Sequence, residues 1–319
     1  MITYGDSAVH QDQESVRERE LSQKIPNGTD CPLITVGMPT LNRVMYLEAS
    51  LEGLYRADYP KTRLRLVFVD GYSSDGAYEL LTKFAETHRS EYRDIFVIQE
   101  HGNIPHARNV CIKHLGEADY LVFVDSDVTP PPDFLNRLLR LSKSSDIACI
   151  AYSNFAYEPS RRKVKKVSMV GMGCTLIRKE VLSNVGPFDE RLRIKEDCDY
   201  CLRAKRCRIL LDTTEFAYHP DDGRYTKETI LKSSFKDRRL NAIICRRRVY
   251  RERFALYAGL DLACALGMIV SPFFFAAPIV YFLGQLIRRR DLKVATYLTV
   301  NSLIIVPLTL LGMVELALE

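Results

Sequence analysis

Between Leu33 and Asp127, segments with strand character alternate with segments of helical character, and this restricts the fold more than any other feature of the chain. "LITVGMPT" (Leu33 to Thr40), "LRLVFVDG", "DIFVIQE" and "YLVFVDSD" are apolar, β-branched runs; "RVMYLEASLEGLYRA", "DGAYELLTKFAETH" and "HARNVCIKHLG" between them are helical. Strands recurring with helices at this spacing form βαβ units, which predicts an α/β fold around a mostly parallel, Rossmann-like sheet. In such sheets the functional loops follow the carboxyl ends of the strands.

Three of those ends carry distinctive chemistry: "PTLNR" (Pro39 to Arg43), "VDGYSSDG" (Val69 to Gly76) and "VDSD" (Val124 to Asp127). Residues two apart on a strand share a face, so Asp125 and Asp127 are expected to point the same way. Two carboxylates so placed offer hard oxygen ligands suited to Mg2+ or Mn2+, ions that keep waters and bind substrate phosphates. An Asp-x-Asp that only caps a following helix is the plain alternative. Pro130 to Pro132 are expected to stiffen the exit and stop the strand.

Average composition, with 47% hydrophobic and 27% charged residues, looks globular but conceals a split. From Phe254 the chain is dominated by two apolar runs separated by "RRRDLK", each longer than the roughly 18 residues of a membrane-helix candidate. A helix continuous from Phe254 to Ile287 would overshoot the ~30 Å hydrocarbon core, so a break near Ser271-Pro272 and three crossings fit better than two. Arg246 to Arg248 beside the first run put that end on the cytoplasmic side. The expected organisation is a polar, disordered 1–30, a catalytic domain over 31–225, a basic juxtamembrane segment over 226–253 and a membrane domain over 254–319. The catalytic domain is then cytoplasmic, on a multi-pass protein of the cell membrane.

The net charge of +5 is mostly this juxtamembrane excess and reads as attraction to anionic headgroups; no nucleic-acid partner is implied. Nine cysteines include only a lone CxxC, Cys198 and Cys201, which suits reduced thiols better than zinc.

The motifs "MPTLNR", "VDGYSSDG", "GNIPHARN" (Gly102 to Asn109), "YLVFVDSD", "GMGCTLIRKEVLSNVGPFDERL" (Gly171 to Leu192) and "KEDCDYCLRAK" (Lys195 to Lys205) follow one another in this order. In them the chain, from about Leu33 to His219, resembles the inverting family 2 glycosyltransferases with the nucleotide-diphospho-sugar fold called GT-A. The resemblance implies that Asp70 reads the nucleobase or ribose of a donor, with Pro39 and Thr40 lining the same pocket. Gly71 stands where family members often have a second acid, which weakens base recognition from this loop. Asp75-Gly76 is adequately read as the cap of the next helix.

The same resemblance makes Asp125, Ser126 and Asp127 the DxD element that holds a donor diphosphate through Mg2+ or Mn2+. Arg108 either contacts the diphosphate, holds the DxD carboxylates or is a surface arginine; Asn109 is structural. Asp197 is implied to be the general base that deprotonates an acceptor attacking the anomeric carbon from the face opposite the nucleotide. Glu196 and Asp199 compete for that role, since acids are favoured at any helix start. Gly171 and Gly173, with Glu196, form the acceptor side, where glycine lets backbone approach the sugar. His219 is either structural or a further ligand of the metal or diphosphate.

Processive relatives carry a Gln-x-x-Arg-Trp element, and this chain has no tryptophan, so transfer of a single sugar is expected. The resemblance implies a UDP- or GDP-sugar donor. Membrane segments beside the site imply a lipid-linked acceptor, either polyprenyl or dolichyl phosphate or the hydroxyl of a glycolipid or lipid-linked glycan. A degenerate scaffold subunit and a nucleotidyltransferase are the readings from other classes, opposed by intact Asp125, Asp127 and Asp197 and by the lack of a Gly-rich phosphate loop.

Overall fold

The computed structural model describes residues 31–153, 162–193 and 195–220; the expectations for the amino terminus and for everything beyond Pro220 lie outside them. Among the described residues no helix is long and apolar enough to cross a membrane.

Strands β1 (Ile34–Thr40), β2 (Leu64–Asp70), β3 (Asp94–Gln99), β4 (Tyr120–Val124), β5 (Ile147–Tyr152), β6 (Val164–Val167), β7 (Cys174–Arg178) and β8 (Ile209–Ala217) form one sheet in the order β3-β2-β1-β4-β7-β5-β8-β6. Helices α1 (Val44–Tyr55), α2 (Ala77–His88), α3 (Ile104–Lys113), α4 (Phe134–Ser142), α5 (Lys179–Val185) and α6 (Glu196–Arg203) cover its faces. The period of two along the strands divides the core. Ile34, Val36 and Met38 of β1 and Leu64, Leu66 and Phe68 of β2 pack with Leu47, Leu51, Leu81, Phe134 and Leu138 of α1, α2 and α4. Val67, Val69, Leu121 and Phe123 face the other side, with Val110, Cys111, Val181 and Tyr200 of α3, α5 and α6. Gly37 lets α3 sit close to β1, since a Cβ there would lie 2.8 Å from the side chain of Cys111.

The first half follows the alternation read from the sequence: β1, β2, β3 and β4 are mutually parallel. The strand order reverses across the sheet between β1 and β4, which opens a crevice beyond their carboxyl ends. The second half departs from simple βαβ repetition. β7 inserts antiparallel between β4 and β5, and β6 runs antiparallel on the edge beside β8. Because β7 opposes β4, Cys174 pairs with Val124 and the segment before it, Gly171 to Gly173, arrives at the crevice end. β8 is parallel to β5 with a bulge, so that Ile150 faces Asp212 but Ala151 faces Phe216. Beyond it Tyr218 bridges Thr129, which brings His219 to the same end of the sheet.

Two details here correct the expectation from the sequence. β4 ends at Val124, so Asp125 and Asp127 lie in a turn, closed by the N–H of Val128 on the carbonyl of Asp125, and strand alternation does not orient them. The prolines therefore do not stop the strand. Pro130 packs instead on α1 at Gly53, where a Cβ would meet Thr129 and Pro130 at 2.8 and 3.0 Å.

Candidate active site

The loops after β1 and β2 form one rim. Asn42 donates its N–H to Ser73 Oγ and accepts from the N–H of Ser74, and Asp75 accepts from the N–H groups of Val44 and Ala77. Asp75 thus caps the starts of α1 and α2 together, more than the single cap expected, while Gly76 supplies a φ of 92°. Inside this rim Asp70 is fully buried. Its Oδ2 accepts from Ser73 N–H and Gln99 Nε2, whereas Oδ1 has no hydrogen-bond partner among the described residues. Thr40, in register with Asp70 across the parallel pair, also has a buried hydroxyl with no partner among them. Two orphaned polar atoms side by side at a strand end are costly unless a ligand satisfies them. Pro39 pairs with Val69, one residue out of phase, so the pleat turns it away from the Thr40 and Asp70 side chains. Tyr72 and His101 stack at the rim with centroids 3.9 Å apart.

Arg108 is the centre of charge. Only 3% of its side chain is exposed, which excludes the surface-arginine reading. Nη2 donates to Asp125 Oδ1 at 3.0 Å and Nη1 lies 3.4 Å from Glu196 Oε1. The rings of Phe123 and Phe188 flank the guanidinium at 5.5 and 5.8 Å. Burial opposes its charge, but Asp125, Glu196 and Asp197 outweigh it and hold the guanidinium above its usual pKa. The Asp125 and Glu196 carboxyls are raised, in both cases by desolvation that Arg108 only partly offsets. Asp125 keeps 34% of its side chain open to the crevice.

The three acids that open α6 separate by environment. Asp199 is buried and pairs with Arg203 at 2.8 Å, which accounts for it structurally. Glu196 is buried against Arg108. Asp197 is half-buried, accepts from the N–H of Cys198 at 2.7 Å, and is close enough to Asp125 and Arg108 to influence both. Asn109 proves to be a brace: its amide exchanges hydrogen bonds with the backbone of Phe188 and donates to Glu190, fixing the turn that leads into α6.

Asp127 faces different partners from Asp125. Arg43 Nε is 3.5 Å from its Oδ2 and His219 Nε2 is 3.8 Å from its Oδ1. Ser126, between the acids, is buried, and its carbonyl accepts from Ser50 Oγ of α1. Among the described residues no three His, Cys, Asp or Glu side chains converge into a closed cation cage. Two carboxylates at a crevice match the oxygen chemistry of a cation that takes the rest of its shell from water and phosphate oxygens.

Gly173 is needed for a reason other than the expected approach of sugar. A Cβ there would lie 2.7 Å from Asp125 Oδ2, and one on Gly171 would lie 3.0 Å from the Tyr152 hydroxyl, so both glycines make room for protein side chains. Gln99 and Tyr152 carry no signal of a site role in the sequence. Arg43 closes the "MPTLNR" motif, but only its distance to Asp127 gives it a part.

Beside the site a cavity of about 630 Å³ is lined by His101, Asn103, His106, Glu190, Arg191 and Arg193. His106 bridges Glu100 (Nε2, 2.8 Å) and Glu190 (Nδ1, 3.1 Å), tying the start of α3 to the turn before α6. Bonds to Glu100 and then Glu190 raise the imidazole pKa, and Asn109 followed by His106 lowers that of Glu190. A raised histidine contributes its full stability below its unfolded pKa of about 6.5 and loses it as pH rises through the folded value. The depressed Glu190 contributes above its unfolded value and loses its share only as pH falls through the folded one. Wild type is therefore expected to lose about 1–3 °C more than His106→Ala on going from about pH 6 to 9, the size of a partly exposed ion pair. Thermal melts across that range check it, and parallel curves would refute the clasp.

The model of the family described as Glycosyl transferase family 2 matches residues 35–210. The chain belongs to glycosyl transferase family 2. Glycosyltransferase AglE of Haloferax volcanii is 22% identical over 189 residues, covering 54% of this chain and 61% of its own length. Succinoglycan biosynthesis protein ExoA of Rhizobium meliloti is 27% identical over 208 residues, covering 57% and 62%. The matched part thus spans about three fifths of these curated relatives. The mannosyltransferase PcManGT from Pyrobaculum calidifontis, solved with GDP-Man and Mn2+, aligns with a TM-score of 0.60 at 16% identity, over 97% of this chain and 94% of that one. TarS 1-349 of S. aureus, solved with UDP-GlcNAc, aligns at 0.53 and 18% identity over 89% and 91%. The mostly parallel α/β sheet of this family 2 chain is GT-A-like.

Proposed function

We propose that this family 2 chain is a glycosyltransferase that inverts the anomeric centre as it moves one sugar from a UDP- or GDP-sugar to a lipid-linked acceptor, with a divalent cation. The observation that carries the reading is the buried Arg108, which gathers Asp125 and the start of α6 at the switch point of the sheet, so that Asp197 stands beside the DxD turn.

The unpaired Asp70 Oδ1 is an acceptor suited to a nucleobase or ribose donor group, with Thr40 able to complete the contact. Asp125 and Asp127, with His219, would hold Mg2+ or Mn2+, which when bound neutralises charge on the diphosphate leaving group. The PcManGT complex with Mn2+ supports a cation of this type. Arg108 orients Asp125 for that task. Asp197 takes the acceptor proton as the acceptor oxygen attacks from the face opposite the nucleotide. A phosphate acceptor is already anionic near neutral pH and scarcely needs a base, so an intact Asp197 favours a hydroxyl of a glycolipid or lipid-linked glycan over polyprenyl phosphate.

The acceptor class rests on the basic segment 226–253 and the apolar runs over 254–319, which would hold the active site near the headgroups on the cytoplasmic side. The test supplies purified enzyme in native lipid extract with labelled UDP- and GDP-sugars, with Mn2+ or EDTA. Label should enter the organic phase only with the cation. Acid-stable labelled lipid supports the hydroxyl acceptor and acid-labile lipid overturns it in favour of a polyprenyl phosphate. Label confined to the aqueous phase overturns the lipid acceptor, and equal transfer in EDTA overturns the cation.

A further inference from the structure

The end of β5 joins two parts of the site that lie far apart in sequence. Tyr152, its last residue, reaches across the chain that enters β7, and its hydroxyl accepts from the N–H of Gly173 at 2.7 Å. The carbonyl of the same Gly173 accepts from the N–H of Asp125 at 3.1 Å. A Cβ on Gly173 would meet Asp125 Oδ2 at 2.7 Å and the Tyr152 hydroxyl at 3.1 Å, so phenol and carboxylate close on one glycine from two sides. The phenol ring also meets the imidazole of His219, with centroids 5.8 Å apart and planes tilted by 41°.

The next residue completes the link. Ser153 Oγ accepts from the N–H of His219 at 3.0 Å and lies 3.3 Å from the carbonyl of that residue, to which it donates. His219 is thereby held through its backbone by Ser153 and through its ring by Tyr152, with Nε2 directed at Asp127. Both acids of the DxD turn are in this way referred to two consecutive residues at the end of β5.

We propose that Tyr152, with Ser153 behind it, is a positioning residue that sets Asp125 and His219 relative to each other for the cation and diphosphate. The inference rests on the proposed glycosyl transfer. Gly171 and Gly173 then serve to admit the phenol, which explains why both positions lack a side chain. Burial, followed by Cys149 and Asp125, drives the phenol pKa well above its ordinary value, so it stays neutral and keeps its proton while its lone pair receives Gly173. A tyrosine here cannot be replaced by phenylalanine without leaving the Gly173 N–H unpaired.

The test compares wild type, Tyr152→Phe, Ser153→Ala and Asp125→Asn as full-length protein. Mn2+ binding is measured by electron paramagnetic resonance and calorimetry in the presence of UDP or GDP, alongside kcat, donor KM and melting temperature. Tyr152→Phe is expected to weaken Mn2+ about 3- to 10-fold, the size of one hydrogen bond, and to lower kcat similarly. Its melting temperature should fall by no more than about 4 °C. Ser153→Ala should weaken Mn2+ in the same direction by less, and Asp125→Asn should abolish binding. Wild-type Mn2+ affinity in Tyr152→Phe, with only the melting temperature lowered, would show a merely structural tyrosine and overturn the inference. If wild type itself binds no Mn2+ with either nucleotide, the cation reading fails and this inference falls with it; binding by wild type and an unchanged variant sinks the inference alone.

Discussion

Asp197→Asn is expected to lower turnover by about 10²- to 10⁴-fold, the usual contribution of a positioned base, with the fold intact. Asparagine preserves the shape of the side chain and can still accept from Cys198, the hydrogen bond that the carboxylate makes. It cannot take a proton from the acceptor. Because the change falls on the acceptor proton and not on the nucleotide, donor KM should stay within about threefold while kcat drops, the pattern of an interaction made in the transition state. Steady-state kinetics with saturating acceptor measures both. Turnover near wild type would remove Asp197 from the mechanism and leave Glu196 as the remaining acid, since Asp199 is committed to Arg203.

Arg108→Met is expected to destabilise the domain by about 3–5 kcal/mol, the cost of stranding buried charge after removing its partner. Asp125 and Glu196 would both lose their cation, and the aromatic cradle of Phe123 and Phe188 would receive a side chain of different shape. Methionine replaces the volume without the charge, so the loss reads the ion pairs more than a cavity. For a domain of this size it corresponds to a fall of about 10–15 °C in melting temperature. Both carboxyls are already raised by burial, and without Arg108 they rise further. The deficit should therefore shrink as pH falls through their folded values, where the acids become neutral and no longer need a cation. Urea unfolding at several pH values tests this; a loss below about 1 kcal/mol, the value of an exposed pair, would mean that Arg108 is not the keystone proposed. Arg108→Lys should rescue only part, because an ammonium cannot span two carboxylates with a planar fork.

Much of the site is legible in the sequence. Asp70 and Asp125 end or follow strands whose type is plain from hydrophobic period, and functional groups in α/β sheets collect at such ends; Asp197 stands out only through the resemblance to family 2. The DxD acids are the exception in their geometry, because the apolar run does not mark where the strand gives way to the turn. That turn sends Asp125 to Arg108 and Asp127 towards Arg43 and His219, so two acids in one motif form their ion pairs with different residues. Tyr152 has no marker at all, because a tyrosine closing a buried strand is ordinary until its hydroxyl is seen on Gly173.

The sequence by itself determined the alternating elements of the first half, the mostly parallel α/β class and the acids at the strand ends, because periodicity and turn chemistry act over a few residues. The tertiary structure alone decided that β7 enters antiparallel between β4 and β5, that Arg108 bridges Asp125 and Glu196, that Asp199 is withdrawn from the crevice, and that Tyr152 joins the DxD turn to His219. Those outcomes depend on strand pairings and ion pairs between segments distant in the chain. Which partner a buried charge finds is set by the packing that removes water from it, and no local pattern encodes that choice.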